Sequence, residues 1–230
     1  KLELEMMEDA GVSALALYEE GYPRILRFIY DPPIVLYVKG ALPAGACLSM
    51  AVVGCRKPSP YGRVVTENLV KSLVERGFYV TSGLARGIDT AAHRTCLEKG
   101  GRTTAVLGSG LASVYPPENR GLAARIAENG AVISEYSMKV PPDRFNFPRR
   151  NRVISGLSLG TVVVEAGEQS GALITAYAAL EQGREVFAVP GRVDNRLSAG
   201  PHALIKLGAK VTLSVEDILE ELNLPAHSPT

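Results

Sequence analysis

Through its middle, the chain alternates short apolar, β-branched runs with helical stretches, and few folds accept that alternation. Residues 48–53, 78–81, 104–107, 131–134, 161–164 and 185–189 read as continuous apolar runs, the pattern of strands covered on both faces. Residues 34–38 and 210–213 read as edge strands. Between the runs, Val65, Leu69 and Leu73 share one helical face, and so do Ile174, Tyr177 and Ala178. Parallel neighbours need crossovers, so the expected fold class is α/β, a doubly wound, mostly parallel sheet. The 230 residues suit one large domain with short appendages. We expect a helical remnant over 1–20, the domain over 21–222 and a linker over 223–230, where Pro225 and Pro229 discourage regular structure.

Composition narrows the function classes. Hydrophobic residues make up 46% and charged residues 21%, a globular balance. No apolar run reaches the roughly 20 residues of a membrane span, and no signal peptide is visible, so no membrane role is expected. Cys47, Cys55 and Cys96 are odd in number and scattered, which argues against a disulfide framework or a zinc site and fits a reducing, cytoplasmic setting. His202 and His227 lack metal-ligand spacing. The formal net charge is only +1, so any attraction to a polyanion must come from locally concentrated arginines.

Unusual residues gather in the loops that follow the strands. These are Gly54-Cys55-Arg56-Lys57, Ser82-Gly83-Leu84-Ala85-Arg86-Gly87, Gly108-Ser109-Gly110, Glu135-Tyr136, Glu165-Ala166-Gly167 with Ser170-Gly171, and Pro190-Gly191-Arg192. In a parallel sheet all of them lie along the carboxyl edge, where doubly wound folds bind ligands. Glycines there let backbone amides approach an anion, and helix N-termini add partial positive charge. Ser82, Ser109 and Ser170 offer hydroxyls, although each also suits a helix N-cap.

The densest stretch is Arg144-Phe145-Asn146-Phe147-Pro148-Arg149-Arg150-Asn151-Arg152. Guanidinium groups can track phosphates while exposed rings stack on unpaired bases. The same stretch also fits two core phenylalanines flanked by solvated arginines. Pro148 is placed to open a helix. Arg56, Lys57 and Arg86 invite the same two readings, phosphate contact or solvated turn. Asp89 and His93, four apart on a helix, can pair, but no Gly-x-Ser-x-Gly elbow accompanies them. Gly108-Ser109-Gly110 matches only part of a dinucleotide fingerprint, so no nicotinamide cofactor, and no cofactor at all, is expected.

Taken in order, the motifs resemble the DprA/Smf family of DNA-processing proteins from about Tyr22 to Leu222. The matching stretches include Tyr22-Pro23, Asp31-Pro32-Pro33, Val53-Gly54-Cys55-Arg56, Tyr61-Gly62, Ser82 through Asp89, Ala92-His93 and Tyr115-Pro116. They continue with Ser134-Glu135-Tyr136, Phe147 through Arg152, Glu165-Ala166, Ser170 through Thr175 and Phe187 through Gly191. The resemblance implies an extended Rossmann-like, non-enzymatic domain over 21–222. Such a domain would bind single-stranded DNA, displace single-strand-binding protein and load the RecA recombinase during natural transformation. It places Arg56, Ser82, Gly83, Arg144, Phe147, Arg149, Arg152, Ser170 and Gly171 at the DNA, and the chemistry of the neighbouring basic positions adds Lys57, Arg86 and Arg150 as candidates. It also implies a homodimer through the late apolar segment containing Leu204, Ile205, Leu207 and Val211. Three positions depart from the family pattern: Cys55 replaces a usual Ser or Thr, Ala172 a common serine, and Gly200-Pro201-His202 a Gly-x-Asn. The alternative is a nucleotide-binding or nucleotide N-glycoside-hydrolysing enzyme like the Lonely-guy proteins. Their Pro-Gly-Gly-x-Gly-Thr-x-x-Glu loop is replaced here by Glu165 through Gly171.

Overall fold

The computed structural model describes residues 2–43 and 47–225. A helix α1 (Leu2–Ala10) leads into strand β1 (Val12–Ala16), one helical turn α2 (Arg24–Arg27) and strand β2 (Val35–Gly40). Strand–helix units follow: β3 (Ser49–Val53), α3 (Pro60–Glu75), β4 (Tyr79–Ser82), α4 (Ile88–Glu98), β5 (Thr103–Val106), α5 (Arg120–Asn129) and β6 (Ala131–Ser134). The chain then crosses over through α6 (Asn146–Gly156) to β7 (Gly160–Val163). It continues through α7 (Gly171–Glu181), β8 (Glu185–Ala188), α8 (Ala199–Lys206), β9 (Lys210–Val211) and α9 (Val215–Glu221).

The nine strands lie in the order β1-β2-β6-β5-β4-β3-β7-β8-β9, parallel from β6 to β9 and antiparallel at the β1–β2 end. The doubly wound, mostly parallel α/β sheet is therefore present, and strand order reverses between β3 and β7. Side chains alternate across it as the pleat demands. Met50 and Val52 of β3 join one core cluster with Leu69, Leu73 and Ile218, while Ala51 and Val53 join the opposite one with Ile154, Leu173 and Leu204. Helix α3 starts where Ser59 accepts a bond from the Gly62 amide and Pro60 supplies a preset φ. No helix among the described residues is long and apolar enough to cross a membrane.

The structure differs from the sequence-based expectation at four places. Residues 1–20 are not purely helical: β1 joins the sheet, and Met7 and Val12 pack in a third cluster with Leu107 and Ile126. Strand β2 is not an edge but sits between β1 and β6. Ile174 and Tyr177 do share a face, and it is the outward one; α7 packs through Leu173, Ala176 and Ala179. Helix α6 begins at Asn146, so Pro148 lies within the first turn rather than opening it, where its missing N–H still costs nothing. The expected linker falls partly outside the described residues, as does His227.

Candidate functional site

A cleft of about 470 Å³ opens at the reversal point, between the loops after β3 and β7 and under the first turn of α6. Its geometry begins with a clamp. The buried Glu165 carboxylate accepts bonds from Ser59 N (2.9 Å) and Ser59 Oγ (2.6 Å), and the Glu165 carbonyl accepts one from Cys55 N (2.6 Å). The β3–α3 loop is thus fixed to β7. It also lies against the next loop: Gly87 has φ of 81°, and a Cβ there would collide with the Cys55 carbonyl oxygen. On this frame Arg56 and Lys57 are exposed, with no hydrogen-bond or ion-pair partner among the described residues, and Arg56 lines the cleft.

The floor is occupied by groups that sequence alone assigned to the ligand. Ser82 is fully buried and donates its hydroxyl to Val52 O at 2.7 Å, so that hydroxyl is spent within the sheet. Gly83 is engaged on both sides. Its N–H donates to Asp89 Oδ2 (3.1 Å), and its carbonyl accepts from Arg150 Nη1 (2.9 Å). Arg150 is buried, also donates to the Val106 carbonyl, and passes Nε to Asn151 Oδ1 at 3.2 Å. Burial lowers its pKa to about 10 and raises that of Asp89 to about 6, each effect opposed by the charge of the other. The pair holds the β4–α4 loop under the cleft; it is structural. Arg152 is withdrawn as well. It forks onto both Glu135 oxygens at 2.7 Å and reaches Asp31 Oδ2 at 2.9 Å. Asp89 and His93 do not pair: His93 Nδ1 bonds Thr103 Oγ1 at 2.7 Å and its Nε2 has no partner among the described residues.

What remains facing outward is a smaller set. Phe147 is half-buried and lines the cleft, with its ring centroid 5.6 Å from that of Tyr115. Arg149 is exposed, its guanidinium without a partner among the described residues. Arg144, also exposed, lies 4.6 Å over the Phe145 ring, which is itself 64% exposed. Arg86 pairs with Glu118 and covers Tyr115 at 5.8 Å. Across the cleft Ser170 caps α7 by accepting from Ala172 N at 3.3 Å, so its hydroxyl is partly used. A Cβ added at Gly171 would meet no protein atom within 4 Å, so the protein's own packing does not require a glycine there. Gln169 and Asn151 also line the cleft and were not singled out from sequence. Gln169 stands on a strand-following loop, the signal that marked its neighbours.

The late apolar segment divides. Leu204 is 1% exposed and belongs to the core, which removes it as an interface residue. Ile205 packs partly against the same core, whereas Leu207, Val211 and Leu213 are exposed. The three cysteines are free thiols.

The profile of the family described as DNA recombination-mediator protein A matches residues 13–223. DNA processing protein DprA of Bacillus subtilis is 43% identical over 95% of the chain and 74% of its own length. Protein Smf of Escherichia coli is 49% identical over 90% of the chain and 56% of its own length. The X-ray structure of DNA processing protein A from Streptococcus pneumoniae superposes with a TM-score of 0.89 at 41% identity, covering 97% of the chain and 78% of that protein. DNA processing protein A from Helicobacter pylori, whose structure was studied for its single-stranded DNA binding mode, superposes at 0.80 with 29% identity, covering 92% and 95%. A molybdenum cofactor binding protein from Rippkaea orientalis shares the fold alone, at a TM-score of 0.56 and 14% identity.

Proposed function

The chain belongs to the DNA recombination-mediator protein A family, and from that premise we propose that it binds single-stranded DNA at the carboxyl-edge cleft. One observation carries the reading: Arg56, a cation without a partner among the described residues, lines the same cleft as a half-exposed Phe147, and unpartnered Lys57 and Arg149 follow each of them in sequence on the same loop and helix turn. Single strands offer phosphates to the cations and free base faces to the ring; a duplex hides the latter. The relative from Helicobacter pylori, studied for its single-stranded DNA binding mode, supports the choice of ligand. The buried Glu165 supports a binding rather than a hydrolytic role. In the alternative, nucleotide-hydrolysing reading that carboxylate would have to face the ligand, and here it is committed to Ser59.

In finer detail, the protein hands its strand to the RecA recombinase and displaces single-strand-binding protein during natural transformation and recombination in the cytoplasm. It does so as a homodimer. Exposed Leu207, Val211 and Leu213, with Ile205 beneath, form the apolar edge that a second copy would cover. An electrophoretic shift with single- and double-stranded oligomers of equal length tests the core of this reading. Preference for the single strand is expected. Equal affinity for duplex in moderate salt would defeat it, and base release from a nucleoside monophosphate would favour the enzyme instead.

A further inference from the structure

We propose that the strand's path does not end at the first cleft but passes the first turn of α6 and seats a further base in a second cleft, between β2 and α6. This rests on the reading above. The second cleft, about 480 Å³, is walled by Pro32, Pro33, Ile34, Tyr37 and Tyr136, with Arg149 at its rim. Because β2 runs antiparallel, its first residues stand beside the last of β6, Tyr37 opposite Ser134. The second cleft therefore opens on the same carboxyl edge as the first. From β3 to β6 there are three strand spacings, roughly 14 Å at about 4.8 Å each, a gap that a few nucleotides bridge. The first turn of α6 fills that gap. Phe147 and Arg150 face the first cleft, and Arg149 faces the second.

The lining says which part of a nucleotide enters. Two cations, Arg149 and Arg152, balance two anions, Asp31 and Glu135, and Arg152 is already bonded to both of the latter. A phosphate gains little in a charge-balanced interior. A neutral planar base against tyrosine and proline walls fits that chemistry, with its phosphate left at Arg149. Those walls are held in place: Tyr22 Oη donates to the Pro33 carbonyl at 2.8 Å and Tyr136 Oη to the Asn146 carbonyl at 3.4 Å.

Ile34 gives access to a test because it lines this cleft while 77% exposed, so charged replacements leave the core untouched. Ile34→Glu and Ile34→Lys would be compared with the unaltered chain on oligo-dT of about 5 and about 15 nucleotides, lengths that bracket one and more than one binding unit. The long oligomer is expected to bind about two- to fivefold more weakly to I34E and correspondingly more tightly to I34K, the effect of one exposed charge. The short oligomer should bind all three alike. Indifference of the long oligomer to both changes overturns the second cleft as a DNA site and leaves it to a protein partner. Equal changes at both lengths overturn it too, by placing Ile34 at the first cleft. Failure of the unaltered chain to bind either length strikes instead at the proposed function beneath.

Discussion

Replacing Phe147 with alanine separates binding from folding more cleanly than any other single change. The ring is half-buried, leans on Tyr115 at 5.6 Å, and lies over Gly108, where an added Cβ would come within 2.7 Å of it. Loss of one aromatic pair costs about 0.5–1.5 kcal/mol, and loss of partial burial raises the total to roughly 2 kcal/mol. A fully buried phenylalanine would cost about 3–5 kcal/mol. For a chain of this size the expected fall in melting temperature is about 4–8 °C. If a base stacks on the ring, affinity for single strands drops by about 1–3 kcal/mol, roughly 5- to 150-fold. Fluorescence anisotropy across a salt series supplies the second axis. The log–log slope should be unchanged in F147A but flatter by about 0.7 in R56A, which loses one phosphate contact. Normal affinity in a variant with a core-sized loss of stability would refute the stacking role.

Three further outcomes are expected. Arg150→Met strands Asp89 and the carbonyls of Gly83 and Val106, so it should cost about 3–5 kcal/mol in chemical denaturation; a variant as stable as the parent would contradict the structural role. His93 is buried and neutral, its pKa lowered from 6.5 to about 3 by burial, so it contributes stability that is complete above pH 6.5 and lost as pH falls toward 3. Asp89 acts oppositely, its pKa raised from 3.8 to about 6 by burial, so its contribution is fullest below pH 3.8 and lost as pH rises through 6. Urea midpoints measured on His93→Gln should therefore lose the rise between pH 4 and 6.5, and an unaltered rise would show that His93 is not its source. Ile205→Arg should convert a micromolar dimer to monomer in sedimentation; an unchanged sedimentation coefficient would move the interface elsewhere.

Eight of the nine strands are legible in the sequence: six because a strand covered on both faces must be apolar throughout, and β2 and β9 as runs that are only partly covered. Their ends shift by a residue or so where a Gly or Ser closes the ladder. Strand β1 escapes because Val12-Ser13-Ala14-Leu15-Ala16 is short, small and only half covered. The basic run around α6 misleads for a different reason. Its charge is visible, but its direction is set by helical spacing: Phe147, Arg150, Asn151 and Ile154 recur at the three- and four-residue intervals of one face. That face points inward, so Arg150 is committed to the fold while Arg149, one step round, is left in solvent. Ser82 likewise carries the right chemistry in the right loop. Its hydroxyl simply finds Val52 across the sheet first, which no single-chain pattern reveals.

The division between committed floor and uncommitted rim has a kinetic corollary. Ser82, Gly83, Arg150 and Glu165 already use bonding capacity within the fold, so in the proposed role an arriving polyanion meets a floor whose polar groups are committed. Attachment then depends on separate, flexible cations, each of which water or a competing cation-seeker can peel away singly. Such a surface lets go by increments and has no latch. A guest held this way can be drawn off from one end by another protein while its remaining length is still retained.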